Sequence, residues 1–156
     1  NQNIGVIGTQ TTINSMANSK EINKINEKIQ IFTQSCPLFV PLIEEGLIND
    51  DITELIIKKY LYSIKKSNID TLILGCTHYP IIASSIENYF EKKINIIDSG
   101  LVTAQHIKRH LIENNLFADN TKKNNDFYVS DNHKNFLKIA NMFLKTKIKN
   151  LKQVSL

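Results

Sequence analysis

The stretch 71-TLILGCTHYP-80 joins a short apolar strand to a polar loop and then to the first turn of a helix. The run 71–74 has the composition of a buried strand, and Pro80 is typical of a helix start. Cys76 and His78 therefore lie between a strand end and a helix N-terminus, where a thiolate is stabilised and an anionic ligand can be held. The pattern predicts a reactive thiol at Cys76.

Strands and helices are predicted to alternate through the first hundred residues. The strands are Ile4–Gly8, Ile29–Thr33, Thr71–Leu74 and Ile94–Ile97. The helices run from a Thr11 or Thr12 cap to about Ile25, over Leu38–Gly46, from Asp50 or Asp51 to about Lys66 with Ile52, Leu55, Ile56 and Tyr60 on one face, and from Pro80 to about Phe90. This alternation predicts an α/β fold, in which helices flank a parallel sheet.

Polar residues follow each predicted strand. They are Thr9, Gln34 to Cys36, Cys76 to His78, and Asp98 to Gly100. Because ligands collect at the carboxyl ends of parallel strands, we expect these residues to share one rim of the sheet.

The last third of the chain has a different character. A helix is expected from about Thr103 to Glu113, then a polar loop from Glu113 to Asp126. The strand Phe127–Ser130, a helix from Asp131 or Asn132 to about Leu144, and one more strand within Ile148–Leu156 complete it. This is too little sheet for an independent core, so we expect the segment to pack against another part of a protein.

Composition excludes several classes of function. The net charge is +4 and Arg109 is the only arginine, which argues against a nucleic-acid reader. No apolar run approaches the length of a membrane span, and the first residues lack the features of a secretory signal. Cys36 and Cys76 make no disulfide framework, so reduced thiols in the cytoplasm are expected.

Each candidate residue also has a purely structural interpretation. Cys76 could be a small residue packed at a strand end, His78 a loop histidine bonded to backbone, and Thr77 a helix N-cap. Glu44, beside Glu45, could simply be solvated.

Two further motifs bear on metal binding and catalysis. His106 and His110 have a spacing that can hold zinc, but no third ligand is evident, and a solvent-facing pair is favoured over a metal site. A phosphatase loop would need arginine at position 82, which is Ile82.

Several strings together resemble the glutamate racemases of the aspartate/glutamate racemase superfamily. They are Gly5–Thr9 with Thr12, Ile13 and Ser15; Cys36–Gly46 (CPLFVPLIEEG); Leu74–Pro80 (LGCTHYP); Ile97–Gly100 (IDSG); and Phe127–Ser130 (FYVS). Aspartate racemases usually carry Glu at the position of His78, so His78 favours glutamate. Asn18 and Asp131 depart from the usual residues of the family.

The resemblance implies a three-layer parallel-sheet domain and part of a second such domain. Residues 1–98 would form the second α/β domain of a racemase, which carries Cys76. Residues 99–156 would return to complete the first domain. The family begins with a further half-domain that holds its first catalytic cysteine in a Cys-Asn-Thr string, and that string does not occur here. An N-terminal half-domain is therefore expected to be missing.

The resemblance also implies a chemistry. Glutamate racemases interconvert L- and D-glutamate without a cofactor: one cysteine thiolate removes the α-proton and a second thiol donates a proton on the opposite face. Cys76 would be the second cysteine, His78 would assist it, and Glu44 would be the partner of His78. Thr77, His78 and Thr9 would contact the substrate. Cys36 matches a position that is not catalytic.

The expected role is D-glutamate supply for peptidoglycan. Two alternatives stay open: an inactive fragment or half-protein that needs a separately supplied N-terminal half, and a homodimer that brings two Cys76 rims face to face.

Overall fold

A computed structural model describes residues 2–118, 126–131, 133–144 and 147–155 of the chain. The chain divides into two compact units, Asn1–His110 and Leu111–Leu156. The first unit contains the larger of the two sheets, and it carries every residue predicted to take part in chemistry.

The first unit is built on a parallel four-stranded sheet. Its strands are β1 Asn3–Gly8, β2 Gln30–Ser35, β3 Thr71–Leu74 and β4 Asn95–Asp98. They lie in the order β2-β1-β3-β4, with Ile4 opposite Ile31 on one side and Thr71 on the other. The predicted α/β class with a parallel sheet is thus confirmed, and each predicted strand is present within two residues of its expected ends.

Helices connect these strands, and one more helix follows the last strand. They are α1 Gln10–Ser15, α2 Ala17–Ile25, α3 Phe39–Glu44, α4 Asp51–Lys66, α5 Ala83–Tyr89 and α6 Ser99–Glu113. A 3₁₀ turn, Tyr79–Ile82, precedes α5 and has Pro80 in its first positions. The helix predicted from Pro80 therefore begins as a tighter 3₁₀ segment.

The first predicted helix differs from the structure in two ways. Its N-cap is Thr9 and not Thr11 or Thr12, because the Thr9 hydroxyl accepts the hydrogen bond from the Thr12 amide. It is also two helices, because Met16 adopts a left-handed conformation with φ 54° that ends α1 before α2 begins.

Helix α6 starts earlier than the predicted Thr103. The Asp98 carboxylate accepts from the amides of Gly100 and Leu101 and caps the helix at Ser99.

The core lies on one face of the sheet, under α3, α4, α5 and the 3₁₀ turn. The connection from β1 to β2 and the connection from β2 to β3 cross the sheet in opposite directions. Because each crossover is right-handed, α1 and α2 lie on the other face of the sheet from α3 and α4. The fully buried side chains of the packed face are Ile7, Leu72 and Leu74 from the strands and Phe39, Ile43, Ile57, Leu61, Tyr79, Ile82 and Ile86 from the helices.

The predicted apolar face of α4 is wrong in part. Ile52 and Leu55 are exposed, Ile56 and Tyr60 are half-buried, and the buried positions are Thr53, Ile57, Leu61 and Ile64. The helix has apolar residues around more than one side, so its periodicity alone does not select the stripe that meets the sheet. Thr53 can be buried because its hydroxyl donates to the carbonyl of Leu47.

The second unit contains α7 His133–Phe143 and the strands β5 Phe127–Val129 and β6 Leu151–Gln153, which pair in parallel. The predicted strand in the tail is therefore present. The Asn132 cap, the end of the tail at Leu156, and residues 119–125 of the predicted polar loop lie outside the described residues. No helix among the residues described is long and apolar enough to cross a membrane.

Candidate active site

The candidate site is at the carboxyl edge of the sheet, where β1 and β3 end side by side. Strand order reverses between these two strands, because the chain leaves β1 toward β2 and comes back over β1 to β3. Loops at such a switch point diverge to opposite faces and leave a crevice, which is where open α/β sheets bind ligands. Thr9 follows β1, and Cys76 follows β3 after one glycine.

Backbone hydrogen bonds continue past the strand ends and hold the loops of this edge together. The Gly75 amide donates to the Ile7 carbonyl at 2.7 Å, and the Cys36 amide donates to the Gly8 carbonyl at 2.9 Å. The Ser99 hydroxyl donates to the Leu74 carbonyl at 3.0 Å and ties the end of β4 to β3. The polar segments predicted to share one rim thus follow adjacent strands and are connected there.

Gly75 sets how closely the Cys76 loop approaches β1. A side chain at this position would place its Cβ 2.8 Å from the Ile7 carbonyl oxygen, a contact that backbone cannot accommodate without moving. Cys76 itself is half-buried against the core, and its carbonyl accepts from the Tyr79 amide at 3.2 Å. The loop is therefore a tight turn that leaves the thiol partly accessible.

His78 and Glu44 meet across the site. The His78 Nε2 atom lies 3.4 Å from Glu44 Oε1, and both side chains are half-buried. Glu44 is the last residue of α3, so the contact joins the helix that follows β2 to the loop that follows β3. The interaction is an ion pair only when the imidazole is protonated, and a neutral ring donates to this carboxylate only in the tautomer whose Nε2 carries the proton.

The two threonines differ in their surroundings. Thr77 is exposed, and its hydroxyl lies 3.4 Å from His78 Nδ1. The Thr9 hydroxyl is already engaged: it accepts from the Thr12 amide at 3.3 Å and lies 3.0 Å from the Thr12 hydroxyl. Thr77 can turn toward a ligand, whereas Thr9 contributes first to the cap of α1. Whether either residue contacts substrate stays a prediction.

Cys36 has the environment of a structural residue. It is fully buried, and burial raises the pKa of its thiol to about 12. A thiol that stays protonated at neutral pH is a poor base, so Cys36 is not a substitute for a second catalytic cysteine.

His106 and His110, the pair predicted to face solvent, lie on α6, and both are exposed. In the part of the chain that the structure describes, no three His, Cys, Asp or Glu side chains are grouped so that they could hold a metal ion.

Tyr79 and Ser99 make hydrogen bonds at the candidate site that sequence reasoning missed. Tyr79 stands within the string quoted above, but nothing in the string shows that its hydroxyl donates to the carbonyl of Cys36, 43 residues away, at 2.9 Å. Ser99 lies in the string Ile97–Gly100, and nothing in that string shows that its hydroxyl donates to the carbonyl of Leu74.

Comparison with known proteins supports the resemblance found in the sequence. The glutamate racemase of Thermoanaerobacter sp. (strain X514) is 39% identical over 156 residues, which is all of this chain and 59% of the relative. No family model matches the chain.

Solved structures agree with this result. The glutamate racemase of Francisella tularensis, solved in complex with D-glutamate, superposes with a TM-score of 0.91 at 39% identity and covers 99% of this chain. The isoform RacE1 from Bacillus anthracis superposes with a TM-score of 0.89 at 31% identity.

The match is to part of each relative. This chain spans 58% of the length of both solved racemases. The sequence match covers all of this chain, and the structural match covers 99% of it. The chain is therefore a homologue of part of the glutamate racemases.

Proposed function

We propose that this chain is the Cys76-bearing portion of a glutamate racemase, which interconverts L- and D-glutamate by proton transfer between two cysteines. The observation that carries the proposal is the half-buried Cys76 thiol at the switch point of the sheet, with the His78–Glu44 pair beside it. The Francisella homologue was solved with D-glutamate, which supports glutamate as the substrate here.

The chemistry needs two thiols on opposite faces of the α-carbon. In one direction the Cys76 thiolate takes the α-proton, and the electron pair left on carbon is then protonated by the opposing thiol. In the reverse direction Cys76 is the thiol that donates. Glu44 orients His78, and His78 assists the proton exchange at Cys76. Cys36 is buried and protonated, so the opposing thiol has to come from a further polypeptide segment or from Cys76 of a second copy.

The chain spans less than two thirds of its relatives, so we propose that activity requires the segment of those relatives that it does not match. By resemblance, residues 1–98 are the second domain of the racemase and residues 99–156 complete its first domain. The product would serve peptidoglycan synthesis in the cytoplasm.

A second candidate is an inactive fragment, or a half-protein that needs a separately supplied N-terminal half. It is favoured by exposed apolar side chains on α6, among them Leu101 and Ile107. Exposed apolar residues at helical spacing are typical of a surface that packs on another element. A homodimer with facing Cys76 rims is the remaining alternative.

The test is a chimera in which the unmatched segment of the Thermoanaerobacter racemase precedes this chain. Circular dichroism of glutamate follows racemisation in both directions, without added cofactor. The chimera is expected to be active, and Cys76→Ala is expected to reduce kcat by about 10²–10⁴-fold, the usual contribution of a general acid or base.

The matched control is Cys36→Ala, which removes the same atom from a buried thiol and should leave turnover within about threefold of the parent. Retained activity in Cys76→Ala, with an unchanged far-ultraviolet spectrum, would refute the assignment. Turnover by the 156-residue chain alone would refute the requirement for a further half and favour the homodimer.

A further inference from the structure

Tyr79, in the Cys76 loop, has a fully buried side chain whose polar atom is bonded to a different loop. Its exposed fraction is 0%, and its hydroxyl donates to the carbonyl of Cys36 at 2.9 Å. Its amide donates to the carbonyl of Cys76 at 3.2 Å. One residue therefore connects the loop after β2 to the loop after β3.

The segment that Tyr79 contacts leads directly into α3. The Phe39 amide donates to the same Cys36 carbonyl at 3.2 Å. This oxygen therefore accepts two hydrogen bonds, one from the first residue of α3 and one from the tyrosine hydroxyl. The rings of Phe39 and Tyr79 pack edge to face with centroids 5.2 Å apart. Glu44 ends this helix, less than two turns after Phe39.

We propose that Tyr79 is a positioning residue of the site: its hydroxyl holds the Cys76–His78 loop against α3, so that His78 meets Glu44. His78 lies in the loop after β3, and Glu44 lies at the end of α3, the helix that follows the loop after β2; the Tyr79–Cys36 hydrogen bond directly links these two loops. The inference rests on the proposed function for its catalytic meaning, but the geometry it describes can be tested without turnover.

The surroundings of the hydroxyl suit a permanent donor. Burial raises the pKa of the Tyr79 phenol well above its usual range, and Cys36, Cys76 and Tyr60 add to the effect in that order. The phenol thus stays protonated wherever the protein is folded near neutral pH, and the link between the loops does not open by ionisation.

Tyr79→Phe tests the proposal because it removes only the hydroxyl. The readout is the nuclear magnetic resonance signal of the His78 imidazole, and Glu44→Gln measures how strongly Glu44 influences it. In the parent chain, Glu44→Gln should move the His78 resonances. In the Tyr79→Phe background, Glu44→Gln should shift the His78 resonances by less than about half as much. Such a reduction is the coupling between the two sites that the proposal requires.

The matched control is Tyr60→Phe. Tyr60 also packs edge to face on Phe39, with centroids 5.6 Å apart, but it is on α4 and outside both loops. In this background the effect of Glu44→Gln should be unchanged. An undiminished effect in Tyr79→Phe, or an equal loss in Tyr60→Phe, would overturn the positioning role.

A measurement on the unsubstituted chain covers the case in which Tyr79→Phe does not fold. The Tyr79 hydroxyl proton should exchange slowly with water and show coupling through the hydrogen bond to a ¹³C-labelled Cys36 carbonyl. A rapidly exchanging proton without that coupling would also overturn the proposal. Neither measurement involves glutamate, so a failure here is distinct from a failure of the racemase assignment.

Discussion

The two cysteines of this chain show how placement decides the chemistry of identical side chains. Cys76 follows β3 after a glycine and stays half-buried, whereas Cys36 follows β2 directly and is fully enclosed. Both lie just past strand ends, so their distance from the sheet edge does not distinguish them. Cys36 belongs to the same buried cluster as Phe39 and Ile43 of α3 and as Tyr79, whose hydroxyl donates to the Cys36 carbonyl, whereas Cys76 only packs against that cluster.

Cys36 should make the stability of the chain sensitive to alkaline pH. Its folded pKa of about 12 exceeds the ordinary value of 9.0, so above pH 9 the unfolded chain loses a proton that the folded chain keeps. Its contribution to the free energy of unfolding is present below that pH and is lost by at most about 1.4 kcal/mol per pH unit as the pH rises toward the folded value.

Urea unfolding of the parent and of Cys36→Ala between pH 8 and about 11 checks this sign. The stability of the parent should fall relative to Cys36→Ala across the window. A constant difference between the two proteins would contradict the prediction, and other alkaline titrations cancel because both chains share them.

At the level of secondary structure, local signals account for most elements and fail at identifiable places. Asp50 accepts from the Ile52 amide at 2.8 Å and starts α4 where an N-cap was predicted. Gly46, at φ 85°, ends the turn after α3 in the left-handed conformation that glycine adopts readily. The break at Met16 had no such signal, because methionine rarely adopts a positive φ.

The cap of α4 should be worth a measurable part of the stability. Asp50→Ala removes the acceptor of the Ile52 amide and should lower the free energy of unfolding by about 1 kcal/mol. Asp50→Asn keeps an acceptor of the same shape and should cost only a few tenths of a kcal/mol. Urea unfolding at pH 7 measures both, and equal losses in the two variants would mean that charge and not capping stabilises this end.

In the molecule as a whole, the distribution of apolar surface is uneven. One face of the sheet has a dense core, whereas α6 exposes Leu101, Ala104 and Ile107 along one side. Their spacing of three residues aligns them on one face of the helix, as expected for a surface that packs on another element. The proposed complementary half of the racemase is the element that would cover it.

Ile107→Lys should weaken binding of a separately produced complementary half. Losing the burial of one isoleucine side chain makes the binding free energy less favourable by about 1.5–3 kcal/mol, which lowers the affinity at least about tenfold. His106→Lys introduces the same side chain outside this apolar row of α6 and should leave affinity unchanged. Isothermal titration calorimetry with the unmatched segment of the Thermoanaerobacter racemase gives both values, and an unaffected Ile107→Lys would exclude this face from the interface.

The α/β class, the four strands and the candidate thiol could be predicted from the sequence because each depends on neighbours within a few residues. Apolar runs mark the strands, Asp50 and Gly46 mark helix ends, and a cysteine between a strand and Pro80 has its position set locally. The assignment of Glu44 as the partner of His78 came from a resemblance, and their 3.4 Å contact in the structure is consistent with it.

Other features depend on residues far apart in the chain. Which stripe of α4 is buried was settled by the sheet surface it meets, so Thr53 lies inside and Leu55 outside. The burial of Cys36 and the bond from Tyr79 to its carbonyl join segments 43 residues apart. Local patterns determine where the chain forms strands and helices, whereas packing between distant segments determines which side chains face water, because burial is a property of the assembled structure.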